Sequence, residues 1–139
     1  MQLLDTDALT HVLAGHPGIV RRLARLEDPD VATTVVTKIE LLRGRFDFLL
    51  KAADGSEVLR AQEWLSRTER FLADVWVVPF DAEAVQHFDR LRSMTGLGKI
   101  GRADLLIASM ALAHRATLVT RNVRHFRPVP GLTVENWVD

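Results

Sequence analysis

The chain has 139 residues, 47% apolar and 26% charged, with eighteen cations balancing eighteen anions and no cysteine. That length suits one domain, and burying roughly two-thirds of the unfolded surface lets it fold without a disulfide or a structural metal. The missing cysteine excludes thiol nucleophiles and Cys-ligated zinc or iron–sulfur sites. Zero net charge argues against gripping nucleic acid by bulk attraction, so any phosphate-binding surface has to be local.

Fifteen of the eighteen cations are Arg, since Lys stands only at 38, 51 and 99. Arg is the better residue for bidentate phosphate contacts. Asp5 and Asp7 interrupt the apolar start and no basic stretch precedes it, so no export signal is expected. No apolar run approaches the ~20 residues of a membrane span. A cytoplasmic location with no membrane partner is expected.

In chain order, residues 2–4 read as a short buried strand that ends at Asp5. Thr6 or Asp7 is expected to cap a helix running to about Leu13. Pro17 and Gly18 break the chain, a second helix is predicted over 19–26, and residues 27–30 read as a turn. Residues 31–36 are β-rich and read as the second strand. Thr37-Lys38-Ile39-Glu40 has the form of a capping box, which predicts a helix from there to Arg45 or beyond.

After a turn at 53–56, Ser56 or a neighbour caps a long helix through Ala73. A third strand covers 75–78, and Asp81 caps a helix ending before Gly96. Gly101 opens an apolar helix to about His114. A fourth strand is predicted at 116–120, a turn or short helix at 121–126, and a fifth strand at 132–135. Strands separated by helices imply a mostly parallel sheet covered on both faces.

Three carboxylates occupy similar places in these units. Asp5 follows the first strand, Glu40 is expected in the first turn of the helix after the second, and Asp104 in the first turn of the helix before the fourth. Ligands of open α/β sheets gather at the carboxyl ends of strands where the strand order reverses. Two carboxylates ~4 Å apart repel by ~4 kcal/mol at an effective dielectric of 20. Without a cation, one of them would take a proton. All-oxygen donors suit Mg²⁺ or Mn²⁺, which can activate water and neutralise charge on a phosphodiester. Taken singly, each acid also has a purely structural reading as a helix cap or as a complement to the helix dipole.

The local sequence around these acids carries more. Leu3-Leu4-Asp5-Thr6, Thr37-Lys38-Ile39-Glu40-Leu41-Leu42-Arg43-Gly44, Ile100-Gly101-Arg102-Ala103-Asp104-Leu105-Leu106-Ile107-Ala108 and Leu118-Val119-Thr120-Arg121-Asn122-Val123-Arg124-His125-Phe126 resemble PIN domains, specifically VapC-type toxins. The ending Pro130-Gly131-Leu132-Thr133-Val134-Glu135-Asn136-Trp137 resembles the end of that family, and the blocks span nearly the whole chain in order.

The resemblance implies an α/β fold, a flavodoxin-like three-layer PIN domain with a parallel sheet ordered 3-2-1-4-5. It also implies Mg²⁺- or Mn²⁺-dependent cleavage of RNA to 5′-phosphate products, homodimerisation, and inhibition by a VapB-type antitoxin. Asp5, Glu40 and Asp104 match the family's three acids as metal ligands. Asn122 matches the fourth position, where many members carry Asp, and it supplies one negative charge fewer. Asp7 departs from the Asn often found there. Thr6, Asp7 and Thr120 are accessory candidates, and Arg43, Arg102, Arg121 and Arg124 are candidates for a phosphate-binding rim.

The five histidines show no metal-binding spacing; His125 beside Phe126 could approach a phosphate, but a surface or structural role is the expectation. Trp64, Trp76 and Trp137 read as core or dimer interface. A phosphoacceptor receiver domain would need a Lys after the last strand, where Glu135-Asn136-Trp137 stands instead. A non-catalytic PIN-like binding module and a DNA nuclease are the alternatives to an RNase.

Overall fold

The computed structural model describes residues 1–27 and 30–139. The turn expected at 27–30 thus lies partly outside the described residues. Five strands, β1 (Gln2–Leu4), β2 (Val31–Thr34), β3 (Trp76–Val78), β4 (Thr117–Val119) and β5 (Thr133–Glu135), form one sheet in the order 3-2-1-4-5. Every pairing is parallel, and β1 lies in the centre with Leu3 opposite Ala32 on one side and Leu118 on the other. The topology expected from the family blocks is the one found.

Seven helices cover the described sheet: α1 (Thr6–Leu13), α2 (Pro17–Ala24), α3 (Val35–Leu50), α4 (Gly55–Asp74), α5 (Ala82–Arg92), α6 (Arg102–Ala113) and α7 (Val123–Phe126). Successive side chains of a strand point to opposite faces, so each adjacent apolar pair feeds two cores. Leu3 and Leu118 join Leu91, Ile107 and Met110 on the α5–α6 side. Leu4 and Val119 join Leu9, Ile19, Leu41 and Leu72 on the α1–α4 side. Both faces of the sheet are buried.

Several local features differ from the sequence reading, among them the cap of α4, which is Asp54 rather than Ser56. Asp5, not Thr6 or Asp7, caps α1, its Oδ1 accepting from the Ala8 N–H at 2.8 Å. The second helix starts at Pro17 and ends at Ala24, because proline's fixed φ suits a first helical position that needs no N–H. Gly18 lies so close to the C-terminal segment that an added Cβ would meet Val138 O at 2.7 Å.

Another difference bears on the site. Strand β2 stops at Thr34, whose hydroxyl accepts from the Thr37 N–H at 3.0 Å and caps α3. Thr37 is therefore inside the helix, the capping box does not form, and Glu40 sits a turn further along than expected. Val35 and Val36, strand-like by propensity, are helical because they pack against the α5–α6 core. Lastly, Trp76 is 50% exposed and meets His114 edge-on, so it is not core, whereas Trp137 is buried. Trp64 is half-buried beneath the guanidinium groups of Arg45 and Arg67.

Candidate metal centre

The strand order reverses between β1 and β4: the chain builds outward through β2 and β3, then returns to the other side of β1. Asp5 follows β1 directly and Thr120 follows β4 directly. The Asp5 N–H donates to Val119 O at 3.1 Å, which ties the two strand ends together. A crevice at such a reversal is where open α/β sheets bind ligands. Here it is a cleft of about 590 Å³ lined by Asp5, Thr6, Asp7, Thr10, Glu40, Asp104, Arg121, Asn122 and Phe126.

Asp5 is the deepest of the acids, with only 4% of its surface exposed. Burial pushes its carboxyl up to about 6, against hydrogen bonds from the Ala8 N–H and the Thr120 hydroxyl that favour the anion. The charges of Asp7 and Asp104 push it further in the same direction. Thr120 is itself fully buried, and its Oγ1 accepts from the Asn122 N–H at 3.0 Å. One hydroxyl thereby links the central acid to the turn carrying Asn122.

Glu40 reaches the cleft from α3. Thr6 donates to its Oε1 at 2.5 Å, and the Thr6 hydroxyl also lies 3.2 Å from Thr37 Oγ1, which is 3.4 Å from the Thr34 hydroxyl. A carboxylate can only accept, so the Thr6 proton belongs to Glu40. Asp104 enters from the first turn of α6, its Oδ2 3.0 Å from His125 Nε2. Asn122 lines the cleft with its amide free of any capping bond to α7.

Asp7 supplies a further carboxylate from α1. Its Oδ2 is buried without a hydrogen-bond partner, and its Oδ1 lies 3.7 Å from His11 Nδ1. The donor set therefore fits a hard divalent cation: all oxygen, several negative charges, a buried acid disfavoured as an anion, and an unpartnered buried oxygen. In the side-chain positions present, no three His, Asp or Glu groups among the described residues close around one point. The acids share a cleft but are engaged with neighbours, Glu40 with Thr6 and Asp104 with His125.

The arginine rim is narrower than the sequence reading expects. Arg121 lines the cleft, with its Nε and Nη2 3.3 and 3.4 Å from Asp139. Arg43 lines a separate apolar recess with Ile39 and Phe46. Arg102 and Arg124 are exposed and do not line the cleft. Thr10, Phe126 and the His125 contact to Asp104 were not singled out by sequence reasoning. The only available signal was that His125 and Phe126 belong to the same block as Asn122.

An acidic cleft at the reversal point of a parallel 3-2-1-4-5 sheet places the chain among α/β proteins that concentrate carboxylates at one sheet edge. More narrowly, it belongs to the PIN-domain family, whose model matches residues 3–132. Ribonuclease VapC2 of Rickettsia felis is 30% identical to it, with 97% of this chain and 96% of that protein aligned. A tRNA(fMet)-specific endonuclease VapC of Shigella flexneri is 28% identical with the same coverage. A chain in the crystal structure of VapBC2 from Rickettsia felis, bound to a DNA fragment from the promoter, matches with a TM-score of 0.78 and 28% identity, covering 98% of each.

Proposed function

We propose that this chain is a divalent-metal-dependent endoribonuclease of the VapC toxin type. The observation that carries the proposal is the convergence of Asp5, Glu40, Asp104 and Asn122 on one cleft at the reversal point of the sheet. Support for RNA as substrate comes from similarity along almost the full length to proteins named ribonuclease VapC2 and tRNA(fMet)-specific endonuclease VapC.

Asp5 and Asp104 are the residues assigned to hold Mg²⁺ or Mn²⁺, with Glu40 as a third ligand or as the group that orients water. Bound there, the ion supplies charge neutralisation for a phosphodiester and lowers the pKa of water. Asp5 suits this task because burial makes its bare anion costly, so a cation on it relieves repulsion from Asp7 and Asp104. Thr6 and Thr120 fix the orientations of Glu40 and Asp5. Asn122 positions water or phosphate through its amide, and Arg121 at the rim is the cation available to a phosphate in the cleft. One well-held ion is expected, since Asn122 brings no charge.

The 139 residues act as one unit in this reading, with a VapB-type antitoxin as partner and a homodimer as the assembly. The similar chain of known structure comes from a VapBC complex, which supports the antitoxin assignment. Among the described residues, no helix is long and apolar enough to cross a membrane. The decisive experiment incubates the protein with total cellular RNA and Mg²⁺ or Mn²⁺, then sequences the new 5′ ends. Discrete cleavage that disappears in Asp5→Asn and Asp104→Asn is expected. Full cleavage by either variant overturns the assignment.

A further inference from the structure

His125 belongs to a different element from the acid it touches. It lies on α7, a four-residue helix just after Asn122, and its backbone N–H donates to Asn122 O at 3.1 Å. Its ring packs edge-on against Phe126, with centroids 5.3 Å apart. Phe126 is 1% exposed and lines the cleft, so the imidazole is held against a fixed wall. From there Nε2 reaches Asp104 Oδ2 at 3.0 Å.

We propose that His125 is a positioning residue for the metal centre: its Nε2, 3.0 Å from Asp104 Oδ2, holds that oxygen and so presents Oδ1 to the cation. The inference rests on the assignment of Asp104 as a ligand. Among the described residues Asp104 Oδ1 has no protein partner, whereas Oδ2 is engaged. Asp104 is on an otherwise exposed helix start, its side chain 38% accessible, where an untethered carboxylate rotates freely. A donor on one oxygen fixes the carboxylate plane and leaves the other oxygen directed by it.

The energetics favour positioning over stabilisation. Both side chains are partly exposed, and ion pairs or hydrogen bonds in such places contribute little to folding. Hydrogen-bond partners of metal ligands, by contrast, typically change metal affinity by roughly 10–100-fold when removed. The same contact also pins the turn that carries Asn122 to the start of α6, so two cleft residues are set relative to each other by one imidazole.

The test is calorimetric titration of the metal-free protein with Mn²⁺, without RNA, alongside thermal melting. His125→Phe keeps the aromatic packing and removes the donor; His125→Gln keeps an N–H near the Nε2 position. Expected are a loss of Mn²⁺ affinity of roughly 10–100-fold in the Phe variant, near-normal affinity in the Gln variant, and an unchanged melting temperature in both. Wild-type affinity in His125→Phe, or equal losses in both variants, overturns the inference. Asp104→Ala separates the two levels: if it binds Mn²⁺ as wild type does, the ligand assignment itself fails. Should His125→Phe melt early, His125→Leu measured below its transition gives the same reading.

Discussion

Thr6 on α1 donates its hydroxyl to Glu40 on α3 at 2.5 Å, joining two helices that begin at neighbouring strand ends. Glu40 is half-buried and 34 residues away in sequence, so this bond sets the height at which its carboxylate enters the cleft. Thr6→Val preserves the shape and removes the donor. Hydrogen bonds of this kind contribute about 1 kcal/mol, so a small fall in urea midpoint is expected. RNA cleavage should fall further, because the misplaced group is in the proposed site. Unchanged turnover in Thr6→Val would show that Glu40 needs no such tether.

Asp5 makes metal-free stability depend on pH. Its carboxyl is raised from 3.8 to about 6 in the folded protein, so the native state holds this proton more tightly than the unfolded chain. The associated stability is fully present below about pH 4 and is lost as pH rises through about 6. At neutral pH the loss is on the order of 2–3 kcal/mol. Asp5→Asn retains an acceptor for the Ala8 N–H and carries no charge. In metal-free buffer it should therefore be more stable than wild type at pH 7, and the difference should shrink toward pH 4. Added Mn²⁺ should stabilise wild type and not the variant. Parallel urea curves for the two proteins at pH 4, 5.5 and 7 provide the check.

Arg121 lines the acidic cleft, while Arg102 and Arg124 do not. Neutralising a cation that meets a phosphate lowers the salt dependence of binding to single strands by about 0.7 in log–log slope. Arg121→Ala should weaken binding of RNA to a cleavage-dead protein and show that change in slope. Arg102→Ala and Arg124→Ala should leave the slope closer to wild type. Salt titrations by fluorescence anisotropy distinguish the three.

Thr34 and Thr37 make opposite predictions from those of the capping-box pattern. Thr34→Ala removes the side chain that caps α3 and should cost about 1 kcal/mol. The effect extends to the site, because α3 carries Glu40. Thr37→Ala keeps the Thr34 acceptor and the residue 37 N–H that make the cap, and removes a hydroxyl that contacts Thr6 and Thr34. The larger fall in denaturation midpoint should therefore belong to Thr34→Ala.

Much of this molecule is legible along the chain because its signals are local. Leu3-Leu4 and Leu118-Val119 mark strands that bury both faces, and Asp81 and Gly101 mark the starts of α5 and α6 at the positions expected. The motif blocks around Asp5, Glu40, Asp104 and Asn122 identified the family, and with it the sheet order. Capping was less legible. Thr34 and Thr37 stand one turn apart with two valines between them, and only packing of those valines against the α5–α6 core decides which threonine ends the strand.

The sequence by itself determined the inventory of chemistry: carboxylates at Asp5, Glu40 and Asp104, an amide at Asn122, an extra carboxylate at Asp7, and no thiol. Tertiary structure alone decided how that inventory is arranged. It admitted one of four candidate arginines to the cleft, left Asp7 Oδ2 without a partner, and brought His125 to Asp104 across 21 residues of chain. Spacing along a chain predicts neighbours only within one helix or strand. Contacts between elements depend on how α6 and α7 pack over the sheet edge, and no local pattern records that.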